Sequence, residues 1–393
     1  MHVQQPARVL GRVDRGRPGP SFVILCAVHG NEPGGVGAAR RVIRTIKAHG
    51  IPLSGRVLAL LGNSGAYARG VRQQQHDLNR AWTASALQTL FNQDPAQDDP
   101  EQREQRALLV ALSPFIEHPE QPTIFVDLHS TSGPGAPFSV GADTLRNRRL
   151  IDALGLPVML GLEEIIEGTL LGLLSDLGHV TVGVEGGQHD DPRTVDNLES
   201  VLWQALAATG QIRRVDIPER RKHVDRLRAA TEGLPRYVEV RHRHGITPSE
   251  AFAMRPGFTN FQPVTVGDVL GEDANGPVKA PFTGRLLMPL YQSTGDDGFF
   301  MGRDVSMPWL VTSEVARRAR IDRLLHLLPG VDRHPDEPDQ LLVESDREDD
   351  PLLRLFGYRR QHPHPMGTQL SRRRPDHLPP IDHRHHHAFK GQR

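Results

Sequence analysis

Three polar segments with metal-binding side chains each follow an apolar, strand-like run of residues. His29 and Glu32 lie in a glycine-rich turn after the first run, and His129 follows the second run. In open α/β sheets, such side chains meet at the carboxyl ends of the parallel strands, however far apart they lie in the chain. Two histidines and one glutamate are typical of catalytic zinc sites, which keep one position open for water or substrate. The sequence therefore predicts one Zn²⁺ per chain, bound by His29, Glu32 and His129.

The third apolar run ends at Glu185, and we predict that this carboxylate is the general base of a hydrolase. Zinc lowers the pKa of a water molecule and polarises a carbonyl group. A nearby carboxylate can take a proton from that water and give it to a leaving nitrogen. Each segment alone also fits a structural role, because Gly30 and Asn31 are typical of turns and Glu185 could cap a helix. The occurrence of all three segments together favours the hydrolase.

The same segments resemble those of the succinylglutamate desuccinylase and aspartoacylase family, whose members are relatives of the zinc carboxypeptidases. In the family's order, they are His-Gly-Asn-Glu at 29–32, Asp-Leu-Asn-Arg at 77–80, Asp-Leu-His-Ser-Thr at 127–131 and Glu-Gly-Gly at 185–187. The resemblance covers residues 22 to about 211 and is weaker up to about 310. It implies the same zinc ligands and the same water-activating glutamate that the residues themselves predict.

The resemblance also implies residues that bind the substrate. Arg80, which follows Asn79, is expected to bind a substrate carboxylate with it, since a planar guanidinium donates two parallel hydrogen bonds. Arg72 is expected to act in catalysis by polarising the scissile carbonyl and stabilising its developing oxyanion. Tyr291, from the C-terminal part of the chain, is expected to contact the substrate. For both arginines, the alternative is a solvated surface position or an ion pair with Asp77.

Strand-like and helix-like patterns alternate over the first half of the chain, which predicts an α/β fold. We expect a mainly parallel, mixed sheet with helices on both faces, as in zinc carboxypeptidases, followed by a small β-barrel-like domain and a disordered tail. The predicted units are a zinc-hydrolase α/β domain at 1–211, a linker at 212–233, a small β domain with a closing helix at 234–330 and the tail at 331–393. The tail is rich in proline, arginine and histidine, and it has too little apolar surface to offset chain entropy.

The composition excludes several classes of protein. Lysine plus arginine and aspartate plus glutamate are balanced at 47 each, so no overall charge favours a nucleic-acid partner. No apolar run approaches the roughly 20 residues of a membrane-spanning helix, and the first residues lack a secretory signal. The single cysteine, Cys26, cannot form a disulfide within the chain, which fits a reducing cytoplasm. We therefore predict a cytoplasmic protein with no membrane or nucleic-acid partner.

The predicted function is zinc-dependent hydrolysis of the amide bond of an N-acyl amino acid or a similar small carboxylate. One alternative is a zinc carboxypeptidase acting on peptides, because a terminal carboxylate would suit Arg80 equally well. Another is a non-catalytic metal- or ligand-binding protein in which the histidines of the tail matter more than catalysis. The sequence leaves open the acyl group, the amine and whether the chain forms a homo-oligomer.

Overall fold

The computed structural model describes residues 6–116, 123–337, 340–344, 347–365 and 367–373. The strands within these ranges are β1 (Val9–Asp14), β2 (Ser21–Cys26), β3 (Arg56–Leu61), β4 (Ile124–Thr131), β5 (Phe138–Gly141), β6 (Val158–Leu160), β7 (Val180–Gln188), β8 (Tyr237–Gly245), β9 (Ala253–Met254), β10 (Pro263–Val264), β11 (Val269–Asp273), β12 (Gly276–Lys279), β13 (Gly284–Leu287), β14 (Asp297–Asp304), β15 (Val331–Arg333), β16 (Leu341–Val343), β17 (Arg360–His364) and β18 (Gly367–Ser371). The α-helices are α1 (Gly34–Ala48), α2 (Ser64–Arg69), α3 (Ala84–Asn92), α4 (Pro100–Ile116), α5 (Leu145–Leu154), α6 (Leu162–Ile165), α7 (Leu170–Asp176), α8 (Pro192–Ala208), α9 (Arg220–Ala230), α10 (Met307–Arg318) and α11 (Pro351–Leu355). No helix in the described part of the chain combines the length and the apolar character that crossing a membrane requires.

The largest sheet is mixed, with parallel strands at its centre. Its order is β1-β3-β2-β4-β7-β5-β6-β8-β14-β13-β10. Strands β3, β2, β4 and β7 run parallel to one another, as do β5, β6 and β8, whereas β5 and β7 are antiparallel. Strand β8 also pairs antiparallel with β14, so strands from the C-terminal part of the chain extend the same sheet. The predicted α/β class with a mixed sheet is confirmed.

Helices cover both faces of the centre of this sheet. Alternate residues of β2 belong to two different apolar cores. Phe22 and Ile24 belong to the core that includes buried residues of α1 and α8, while Val23 and Leu25 belong to the core that includes residues of α4 and α7. A strand that is buried on both faces has a continuous apolar sequence rather than an alternating one, and this is the pattern of residues 22–28.

The C-terminal half adds β structure next to the large sheet. A second sheet, in the order β12-β11-β9, shares an apolar core with β13 and β14 through Met254, Leu270 and Phe299. The predicted linker contains helix α9, which packs against α8. Helix α10 and a 3₁₀ segment at Ile321–Leu327 follow the β strands. The boundaries of the domains stay a prediction.

The structure corrects the predicted disorder of the tail over its described residues. Strands β15 to β18 form an antiparallel sheet in the order β15-β16-β18-β17. The apolar residues of this segment are few and widely spaced in a polar sequence, but they pack together into one core, which includes Leu341, Val343, Leu353, Phe356 and Leu370. The buried guanidinium of Arg359 pairs with Asp143, which precedes α5, so a charge pair attaches this sheet to the α/β part. Residues 374–393 lie outside the described residues.

Candidate metal centre

The turn between β2 and α1 carries the first two predicted ligands. Gly30 lies so close to α2 that a Cβ atom at this position would be 2.2 Å from the carbonyl carbon of Ala66. Its amide donates a hydrogen bond to the carbonyl oxygen of Arg72 (3.0 Å), and the amide of Glu32 donates to the carbonyl oxygen of His29 (3.2 Å). Residue 30 must therefore be a glycine, and the tight turn brings the His29 and Glu32 side chains together.

The large sheet positions the other two predicted residues. His129 lies on β4 and Glu185 on β7, and the parallel pairing of the two strands makes these residues direct neighbours. Both strands continue for two or three residues beyond them, to Thr131 and Gln188. The two side chains therefore lie close to the carboxyl ends of the strands, as the sequence predicts.

The carboxylate of Glu32 lies between the two imidazole rings. Its Oε1 is 2.9 Å from Nδ1 of His29, and its Oε2 is 2.9 Å from Nδ1 of His129. The amide of Ser130 also donates to Oε2, at 3.1 Å. Burial raises the pKa of Glu32, but the two imidazoles lower it well below its usual range. The structure thus brings together the three residues that were predicted as ligands, with the carboxylate ionised.

Each imidazole has a second carboxylate on its other nitrogen. Nε2 of His29 is 3.2 Å from Oδ1 of Asp77, and Nε2 of His129 is 2.9 Å from Oδ2 of Asp127. Burial lowers the pKa of His129, but Asp127 and Glu32 raise it well above its usual range. Both aspartates are buried. Metal-bound histidines typically have such a carboxylate partner, which fixes the tautomer and the orientation of the ring.

This donor set fits a zinc ion. One ligand atom each from His29, Glu32 and His129 can be chosen so that all three lie within 4.8 Å of one another. Nitrogen and carboxylate ligands are the ones zinc takes in catalytic sites. In addition, Oε2 of Glu185 is buried and has no hydrogen-bond partner among the described residues. A buried acceptor without a donor is costly, so a water molecule or a substrate amine would satisfy this oxygen.

Glu185 differs from Glu32 in its electrostatics. Burial raises its pKa to about 7, against the lowering effect of His129, and Glu32 raises it further. Its carboxyl group therefore holds a proton more readily than that of Glu32.

Both predicted arginines line the same cavity as the three predicted ligands, His29, Glu32 and His129, which we call the metal cluster. Nη2 of Arg72 donates to Oδ2 of Asp77 at 2.8 Å, and its Nη1 is 3.8 Å from Oε1 of Glu32. Nη2 of Arg80 donates to Oδ2 of Asp297 at 3.3 Å. Nε of Arg80 is buried and has no acceptor among the described residues. Nε of Arg72 is likewise buried without an acceptor among the described residues. Both arginines are thus held by carboxylates, and each has an Nε donor without an acceptor.

Asn79 also lines the cavity, but its side chain has a structural contact. Its Oδ1 accepts a hydrogen bond from the amide of Leu170, at the start of α7, at 3.0 Å. Asp77 caps the 3₁₀ turn Leu78–Arg80 by accepting from the amide of Asn79, at 2.7 Å. This turn and helix α7 are therefore tied together at the cavity wall.

Tyr291 is not among the described residues that line the cavity, and its contact with the substrate stays a prediction. Its hydroxyl donates to the carbonyl oxygen of Arg255 (2.8 Å) and accepts from the amide of Phe258 (3.0 Å), within the C-terminal β part. The next residue, Gln292, lines the cavity instead. Its Oε1 accepts from Nδ2 of Asn31 at 3.1 Å.

His189 is a second cavity residue that the sequence did not single out. Its Nδ1 is 2.8 Å from Oγ of Ser130, and its Nε2 is 3.4 Å from Oε1 of Gln292. The side chain thus connects the strand that carries His129 with the loop from the C-terminal part. The only local signal is its position next to the predicted segment at 185–187.

The part of the chain that carries this site matches a known protein family. Residues 18–202 match the model of the succinylglutamate desuccinylase/aspartoacylase catalytic domain. This part of the chain belongs to the succinylglutamate desuccinylase/aspartoacylase family. The family consists of deacylating hydrolases, and the matched range includes the three predicted ligands, Glu185 and both arginines. Tyr291 lies beyond it.

Solved structures of the same fold cover most of the chain. The ectoine utilization protein EutE (DoeB) of Ruegeria pomeroyi has a TM-score of 0.54 and 18% identity over 74% of this chain and 87% of its own. A succinylglutamate desuccinylase of Vibrio parahaemolyticus has a TM-score of 0.54 and 15% identity over 75% and 84% of the two chains. An aspartoacylase family protein of Mesorhizobium loti has a TM-score of 0.53 and 18% identity over 75% and 88%. At these identities the likeness concerns the fold alone. No curated protein matches the sequence significantly.

Proposed function

We propose that the protein is a zinc-dependent deacylase that hydrolyses the amide bond of an N-acyl amino acid or a similar small carboxylate. The observation that carries this proposal is the cluster of His29, Glu32 and His129 beside Glu185, whose Oε2 is buried without a partner among the described residues. The match of residues 18–202 to the catalytic domain of a family of deacylating hydrolases supports it.

The metal cluster would hold the ion with atoms that already face one another. His29 and His129 would bind through Nδ1, and Glu32 would bind through its carboxylate. When bound, zinc acidifies a water molecule and polarises a carbonyl group. The negative charges of Asp77 and Asp127 beside Nε2 of the two histidines would favour a proton on that nitrogen, which would leave the lone pair of each Nδ1 for a metal.

Glu185 would hold and move the proton. Its Oε2 would accept a proton from the attacking water and return it to the nitrogen of the leaving amine. Burial raises the pKa of Glu185 to about 7. A carboxyl group with a pKa near neutrality can both accept and release a proton at the pH of the cell.

The two arginines would bind different parts of the substrate. The buried Nε of Arg80 lacks an acceptor among the described residues, and a substrate carboxylate would supply one. Asp77 fixes Arg72 beside the metal cluster. From that position Arg72 would donate to the scissile carbonyl and stabilise the negative charge that develops on its oxygen.

The shape of the cavity favours small acyl substrates over peptides. Residues of the loop between Met288 and Asp297, together with Phe300, line the cavity along with the cluster residues. Gln292 in this loop is hydrogen-bonded to Asn31, next to the ligand Glu32. This cover from the C-terminal part is the reason to prefer a deacylase to a carboxypeptidase.

Two variants test the proposal together. Glu185→Gln should retain zinc and lose turnover by about 100-fold or more, because general acid–base catalysis contributes roughly 10²- to 10⁴-fold. His29→Ala should lose both zinc and turnover. Zinc content is measured by metal analysis, and turnover is measured as amine release from a panel of N-acyl amino acids. His49→Ala, at an exposed histidine at the end of α1, is the matched control and should change neither.

The reverse pattern would reject the roles assigned here. It would consist of zinc lost from Glu185→Gln and retained in His29→Ala. Amine release from none of the substrates by the zinc-loaded wild type would reject the deacylase itself.

A further inference from the structure

The cavity offers one cationic anchor for a substrate carboxylate. Among the described residues, the only guanidinium groups that line it belong to Arg72 and Arg80. Arg72 lies at the metal end, 2.8 Å from Asp77 and 3.8 Å from Glu32, where the reacting carbonyl would be. Both arginines have a buried Nε without an acceptor among the described residues, so it is the position of Arg72 at the metal end that leaves Arg80 as the anchor for a carboxylate.

The other charged groups of the cavity wall are acidic. Glu163 and Asp296 both line it. Glu163 interacts electrostatically with the buried Arg373, and Asp296 is exposed. The carboxylate of Glu163 accepts a hydrogen bond from the hydroxyl of Thr169, at 2.8 Å. Asp297 is neutralised by Arg80 and, on its other oxygen, by Arg243. A second substrate carboxylate would thus find no guanidinium beyond the two already assigned and would face two carboxylates.

One part of the remaining wall is apolar. Val140, Leu162 and Ile166 from the α/β part line the cavity with Met288 and Phe300 from the C-terminal part. These side chains belong to or pack against one buried core, so water does not fill the space behind them. An alkyl group placed against this wall would be desolvated favourably, whereas a charged group would be desolvated at a cost.

We infer that the substrate carries a single carboxylate, on an amino acid with an uncharged or cationic side chain, and an apolar acyl group. Dicarboxylic amino acids and dicarboxylic acyl groups are both disfavoured. The inference rests on the proposed deacylase function and specifies its substrate class. It follows from one guanidinium away from the metal end, an apolar part of the wall and two further carboxylates in the same cavity.

Two matched pairs of substrates test the inference. N-acetylglutamine and N-acetylglutamate differ only in one amide or carboxylate, and N-butyrylglutamine and N-succinylglutamine differ only in a methyl or carboxylate at the end of the acyl chain. The uncharged member of each pair should have a kcat/KM at least about tenfold higher, because an unpaired carboxylate beside like charges is strongly disfavoured. Binding to the Glu185→Gln variant, measured by calorimetry, should show the same preference without turnover.

A charge reversal at the cavity wall tests the cause. Asp296→Lys adds a cation for a second carboxylate, and it should reduce the preference within each pair. Asp225→Lys, on helix α9, is the control because this residue does not line the cavity, and it should leave the preference unchanged. A preference for the charged members in the wild type, or a preference that Asp296→Lys does not change, would overturn the inference while leaving the deacylase intact. Neither binding nor turnover of any of the four substrates would overturn the deacylase, and the inference with it.

Discussion

Replacing Asp127 with asparagine should weaken zinc binding although no ligand changes. Asp127 is fully buried, and its Oδ2 lies 2.9 Å from Nε2 of His129. The carboxylate holds a proton on Nε2 and increases the basicity of Nδ1, the atom that faces Glu32. Asparagine has almost the same shape but no charge, so the substitution removes this electrostatic effect and leaves the packing in place.

The magnitude follows from the geometry. Loss of such a carboxylate typically costs about 10- to 100-fold in metal affinity, which corresponds to about 1.4 to 2.7 kcal/mol. The short contact and the full burial of Asp127 place the expected loss toward the upper end, because water cannot screen or replace the lost charge. Asp77→Asn should cost less affinity, since its contact with His29 is 3.2 Å. It should also lower turnover, because Asp77 holds Arg72.

Competition with a zinc chelator of known affinity gives the Kd of the wild type and of both variants. Asp332→Asn is the matched control, because Asp332 is exposed on β15 and does not line the cavity. Circular dichroism verifies that each variant is folded. A zinc affinity of Asp127→Asn equal to that of the wild type would refute the role of Asp127 and the assignment of His129 as a ligand oriented by it.

Three further predictions concern the substrate anchor, the ligand turn and a buried charge cluster. Arg80→Lys should raise KM for N-acyl amino acids by about tenfold, measured from initial rates, because an ammonium group cannot bind Asp297 and present the separate Nε donor of a guanidinium at the same time; an unchanged KM would exclude Arg80 as the anchor. Gly30→Ala should lower both the melting temperature and the zinc content, because the added Cβ would lie 2.2 Å from the carbonyl carbon of Ala66; wild-type values would contradict the required close approach. Asp143→Asn should lower the free energy of unfolding by about 3 to 5 kcal/mol in urea titrations at neutral pH, because Arg148, Arg317 and Arg359 share this buried carboxylate. Burial raises the pKa of Asp143, but the arginines lower it well below its usual range. The ionised carboxylate therefore stabilises the fold above pH of about 4, and this stabilisation is lost as the pH falls further. The difference in the free energy of unfolding between wild type and variant should thus narrow in acid, and a difference that does not change with pH would argue against this pairing.

The metal cluster could be predicted because local patterns determine where its members lie. The apolar run before His29 predicts a buried strand, and the glycines after it predict a turn. The run before His129 predicts a second buried strand. Parallel strands place their carboxyl ends at one edge of the sheet, so the meeting of the two segments follows from the strands alone.

Contacts that depend on distant parts of the chain left no such pattern. Gln292 and Asn31 are 261 positions apart, and nothing near Gln292 marks it as a cavity residue in preference to Tyr291. The folded structure of the tail was not predicted for the same reason: it depends on contacts with distant residues. Arg359 pairs with Asp143, 216 positions away in the chain. Composition alone predicts that the Arg359 guanidinium is solvated, but it is buried in this ion pair and stabilises the C-terminal sheet.

The central claim is that two imidazoles and one carboxylate bind a single zinc ion. X-ray absorption at the zinc edge, on the full chain with one equivalent of zinc, tests it directly. The account predicts nitrogen and oxygen ligands only, with two imidazoles at a zinc–nitrogen distance of about 2.0 to 2.1 Å. It also predicts that His129→Ala loses this spectrum and that removal of residues 374–393 keeps it. A site with sulfur from Cys26, or zinc that persists in His129→Ala and is lost with residues 374–393, would contradict the claim.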